Sequence, residues 1–120
     1  MPKINLSDSI VIYHSSEDRC WVAHSLRTDQ IGTGDDVVTA LAAVIRGLDS
    51  LCELAEEDET IAYLREAPPE IQAMEATATP LLKELFEIAH KKARGEWPDD
   101  QPVTMSPDER ATFKAQELVC

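Results

Sequence analysis

Hydrophobic positions along this chain change their period near residue 36. Ahead of that point they come in short β-branched and aromatic runs. Ile10-Val11-Ile12-Tyr13 has the composition of a strand, Ser15-Ser16-Glu17-Asp18 that of a turn, and Cys20-Trp21-Val22-Ala23-His24 that of a second strand. Together they predict an antiparallel hairpin whose charged tip, Glu17-Asp18-Arg19, sits in solvent. Ile31-Gly32-Thr33-Gly34 has room for a very short third strand ending in a bend, where glycine allows backbone angles that other residues resist.

From Val37 the spacing becomes helical. Val37, Val38, Leu41, Ala42, Val44, Ile45, Leu48, Leu51, Cys52 and Ala55 form one stripe, with Thr39, Arg46, Asp49, Ser50 and Glu53 opposite. Asp35 or Asp36 is the expected cap, and both carboxylates suit a helix N-terminus. About 20 residues of helix span roughly 30 Å, enough to cover a three-stranded sheet. The prediction is therefore an α+β fold: a short antiparallel sheet, made of the hairpin plus a short third strand, covered by a long amphipathic helix at about 36–56.

The second half is more polar. Between Glu53 and Glu75 there are eight acids against one base, Arg65. Ile61-Ala62-Tyr63-Leu64 reads as a helical turn or two, which Pro68-Pro69 breaks. Thr79-Pro80 has the form of an N-cap followed by a first-turn proline, opening a helix with Leu81, Leu82, Leu85, Phe86 and Ala89 as its stripe. Lys91, Lys92 and Arg94 suit its C-terminal end, and Gly95 stops it. Trp97 to Pro102 reads as a linker, and Ser106-Pro107 starts a weak last helix. The expected organisation is a core at 1–57, an acidic helical extension at 58–95, and a linker with a C-terminal helix at 96–120.

A length of 120 residues fits one domain. The net charge of −12 repels phosphates and anionic membranes and favours a basic partner. Direct nucleic-acid binding is not expected, since only Lys91, Lys92 and Arg94 cluster. No secretory signal is visible at the start, and Arg46, Asp49 and Glu53 interrupt the longest apolar segment, so no membrane association is expected. Cys20, Cys52 and Cys120 form no CxxC pair, which points to reduced thiols and a cytoplasmic protein.

Candidate chemistry is sparse. His14, His24 and Cys20 do not make a metal site: Cys20 and His24 lie about 13 Å apart along a strand, and a turn centred on Glu17-Asp18 sends His14 and His24 to opposite sheet faces. Gly32-Thr33-Gly34 is followed by Asp35-Asp36 and no lysine, the wrong charge for a phosphate loop. Cys52 lies on the apolar stripe and reads as a buried, inert thiol. Trp21 is either a core residue or an exposed anchor for a partner. The acidic run is either a solvated face or a docking surface for a basic protein, through Glu53, Glu56, Glu57, Asp58 and Glu59. No catalytic residue, cofactor or metal is assigned.

The strand ending near Tyr13, the turn Ser16-Glu17-Asp18, Trp21-Val22-Ala23, Gly32-Thr33-Gly34-Asp35 and Ala40-Leu41 in an amphipathic helix together resemble the HicB-like antitoxin family. The likeness covers roughly residues 10–55. It implies a partial RNase H-like fold without nuclease activity, which neutralises a small basic mRNA-cleaving toxin of the HicA type by covering its active site. Metal-dependent catalysis on such a fold needs an acid on the first strand, and Ile10 to Tyr13 contains none. Many members carry a C-terminal DNA-binding element, whereas residues 58–120 here are acidic and offer no basic reading helix. The functional expectation is a non-enzymatic protein-binding module, an antitoxin of this kind. The alternative is a homo-oligomeric accessory protein that keeps the fold without a toxin partner.

Overall fold

The computed structural model describes residues 6–58, 65–98 and 108–119. Strand β1 spans Leu6–Ser15, so the chain enters the sheet earlier than the run at Ile10 indicates. It pairs antiparallel with β2, Cys20–Ser25, with His14 opposite Trp21 and Val11 opposite His24. The turn between them is exposed, and Arg19 takes a positive φ of 56° to close it. β3, Ile31–Gly34, continues the meander on β2.

Helix α1, Val37–Glu57, follows as the stripe requires. Asp36 is its cap: one carboxylate oxygen accepts from the Thr39 amide at 2.7 Å and the other from the Thr39 hydroxyl at 3.0 Å. Gly32 and Gly34 serve a different purpose from the expected bend, for neither has a positive φ. A Cβ on Gly32 would collide with the backbone of Val44 and Ala40, and one on Gly34 would lie 2.7 Å from the Ala40 amide. The glycines let β3 lie directly against the α1 backbone.

The second half departs further from its expected form. Pro69–Gln72 is a short helix, α2, with a proline in its first turn, continued by a 3-10 turn over Ala73–Thr77. Thr79–Pro80 is not a helix start but a two-residue strand, β4. Helix α3, Lys83–Ala93, begins after Leu82 without a side-chain cap and ends near Gly95, whose φ is +74°. The expected C-terminal helix is replaced by strand β5, Phe113–Val119. β5 pairs antiparallel with β1 from Leu6 to Ile12, and β4 adds parallel to its other side. The sheet order is β3-β2-β1-β5-β4. Residues 113–119 thus belong to the same sheet as the hairpin rather than to an appended segment. The helical turn expected at 61–64 lies outside the described residues.

Alternation on β1 divides the interior in two. Ile10 and Ile12 face α1 and α3, in a cluster with Trp21, Leu41, Val44, Leu48, Leu85 and Ala89. Val11 faces the other way, against Leu26, Ala67 and Ile71, with Tyr13 and Met74 packed alongside. A sheet covered on both faces explains why β2 has almost no exposed position.

Candidate functional site

The region with the clearest surface character is the last turn and a half of α1. At about 100° per residue, Glu53, Glu56 and Glu57 fall on one arc, and Leu54 falls between Glu57 and Asp58. All five side chains are exposed, Leu54 to 49%. Glu53, Glu56 and Glu57 make no ion pair among the described residues, and α1 has no basic residue in its last turn. Acids three and four residues apart repel one another, and the negative end of the helix dipole adds to that repulsion. The segment therefore concentrates negative potential beside an exposed leucine. Glu59, expected to belong to the same group, lies outside the described residues.

Trp21 is not part of this surface. It is 5% exposed, stacks edge-on against His14 with ring centroids 5.3 Å apart, and lies 6.4 Å from Phe113. The core reading of Trp21 holds, and the anchor reading is corrected: the β1–β2 register turns its ring toward α1. The same register places His14 and His24 on opposite faces, as expected. His24 is buried, with Nε2 2.6 Å from the Asp29 carboxylate and Nδ1 without a partner among the described residues. Arg65 approaches the other oxygen of Asp29 at 3.5 Å.

Beside it lies a second polar cluster that the sequence did not single out. Asp8 corrects the expectation of a first strand without an acid, because β1 begins before Ile10 and includes it. It is fully buried and accepts from the Arg27 amide at 2.9 Å and the Thr28 hydroxyl at 2.8 Å. Ser25 Oγ is 2.6 Å from the same hydroxyl and accepts from the Gln30 amide. Buried hydroxyls tied to a carboxylate look superficially like a nucleophile relay. Here every bond closes the β2–β3 turn, where Asp29 takes a φ of 54°, and Ser25 has no exposure for a substrate. Among the described residues no three His, Cys, Asp or Glu side chains converge to hold a metal ion.

Cys52, expected as a free thiol, is disulfide-bonded, whereas Cys20 is free. The helical stripe places Cys52 only partly within the core, which leaves its sulfur within reach of a partner. No described helix is long and apolar enough to cross a membrane. Of the basic cluster at the end of α3, Arg94 is paired with Glu96 at 3.0 Å, and the Lys92 carbonyl accepts from Arg46. That pairing holds the Glu96 carboxyl below its usual range, through the Arg94 hydrogen bond first and its charge second.

Comparison with known proteins finds no matching family model, no matching curated protein and no matching solved structure.

Proposed function

We propose that this chain is a protein-binding module that docks a small basic protein on the acidic end of α1, in the manner of an antitoxin covering a ribonuclease toxin. The observation that carries the reading is the cluster Glu53, Glu56 and Glu57, unpaired among the described residues, with the exposed Leu54 at its edge. A cationic partner relieves their mutual repulsion, and Leu54 supplies apolar contact beside the charges. The chain's net charge of −12 steers such a partner from a distance. The order hairpin, third strand, long helix is also the arrangement that the HicB-like resemblance implies.

A ribonuclease assay tests the toxin part of the proposal. A small basic protein that binds this chain should cleave RNA when alone and lose that activity when the chain is added in equimolar amount. A bound partner without nuclease activity would leave a docking module and remove the antitoxin assignment.

The alternative, a homo-oligomeric accessory protein, draws support from the edge strand β3, where Ile31 is 58% exposed. Light scattering separates the two. A stable oligomer that Ile31→Lys dissociates, with no heterologous partner, favours self-association.

A further inference from the structure

A cavity of about 820 Å³ opens between the 3-10 turn, the β4–α3 corner and the outer side of β5. It exists because β4 stops at Pro80. The chain turns away into α3, while β5 runs on past Lys114 with no further strand beside it among the described residues. Leu81, Phe86 and Ala115 contribute apolar lining, and Lys83 and Lys114 line the cavity too, Lys114 from the face of β5 opposite to Ala115. No residue of α1 takes part, so the cavity is separate from the acidic docking surface.

Charge distinguishes this place from the rest of the molecule. The chain has 11 lysines and arginines against 23 acids, yet two lysines line one cavity whose described lining holds a single acid, Glu75. Among the described residues neither lysine has a carboxylate within 4 Å. Lys83 stands exposed at the mouth, and Lys114 is half-buried along the wall. Gln116 and Gln72 are already engaged, the first with Ser9 at 2.6 Å and the second with the Leu26 carbonyl at 2.7 Å. The lysines are thus the polar groups left to orient a ligand. Two ammoniums and one carboxylate leave a single positive charge, which selects a monoanion. The volume lies within the range of about 300–1,000 Å³ typical of small-molecule sites.

We propose that this cavity binds a monoanionic apolar small molecule, a medium-chain acyl carboxylate. Its chain lies on Leu81, Phe86 and Ala115, and its carboxylate lies between Lys83 and Lys114. The reading needs no partner protein and stands independently of the docking function.

Octanoate and its uncharged counterpart 1-octanol are the probes, titrated into isotope-labelled full-length protein and followed by amide chemical shifts. Octanoate should saturate, with the largest shifts at Leu81, Phe86, Lys114 and Ala115. Octanol should bind about fivefold to tenfold more weakly, because the ion pairs are partly solvated. Lys83→Gln/Lys114→Gln should lose the same factor for octanoate and leave octanol binding and the melting temperature unchanged. Should that variant fold poorly, Lys83→Gln alone, at the exposed mouth, should still weaken octanoate severalfold. Equal affinity for the two probes, failure to saturate, or shifts centred elsewhere would overturn the proposal.

Discussion

Gly32 shows most directly how one residue sets the geometry around it. Its missing side chain lets β3 touch the backbone of α1, and the atoms a Cβ would meet belong to Val44 and Ala40 main chain, which cannot rotate away. Gly32→Ala should therefore cost about 2–3 kcal/mol, at the upper end of overpacking effects, measured by urea unfolding. Gly47, where a Cβ would meet only the end of the Gln30 side chain, should tolerate alanine far better. Tyr13 carries a second prediction. Burial first, and the neighbouring charges of Cys20 and Asp18 next, push its phenol above the ordinary value of 10.0. A folded-state pKa above the unfolded one means the folded protein holds the proton more tightly. That contribution is complete below pH 10 and is lost as pH rises through the folded value. Tyr13→Phe should show a shallower loss of stability above pH 10 than the wild type in a pH series of thermal melts.

At the scale of elements, local chemistry explains the first half of the chain and tertiary pairing explains the second. The hairpin, β3 and α1 were legible because each has a strong pattern of its own: β-branched runs, a turn, then a long amphipathic stripe with an aspartate in front. Asp36→Ala should cost about 1 kcal/mol, the usual value of an N-cap, and shift the thermal midpoint accordingly. Strand β5 was illegible for a physical reason. Lys114, Ala115, Gln116 and Glu117 favour helices by intrinsic propensity, and only the open edge of β1 draws them into a ladder. Thr79-Pro80 misled in the same way, since a threonine–proline pair fits a helix start as well as an edge strand that lacks one donor. Phe113 distinguishes strand from helix experimentally. It packs against the main cluster near Trp21, so Phe113→Ala should cost about 2 kcal/mol, whereas a loosely attached terminal helix would register almost nothing. The candidate surfaces were legible to different degrees. The acids of α1 are contiguous in sequence, but Leu54 became visible only once the helix face was fixed. Lys83 and Lys114 come from distant segments that no local pattern connects.

At the scale of the whole molecule, the distribution of charge separates what stabilises the fold from what serves binding. Glu53, Glu56 and Glu57 lie at the wrong end of a helix dipole and repel one another, so they weaken the helix that carries them. Reversing all three to lysine should raise stability at low salt by about 1–2 kcal/mol, and the gain should shrink as salt screens it. The same substitution should abolish partner capture, which sets stability and function in opposition at one surface. The decisive measurement compares the wild-type protein with Glu53→Lys/Glu56→Lys/Glu57→Lys as bait in native extract at low salt, with a salt gradient for elution and mass spectrometry for readout. The wild type should retain a small basic protein that leaves as salt rises, and the folded variant should retain none. Equal retention by both baits, or recovery of the bait alone as an oligomer, would contradict a docking role for the end of α1.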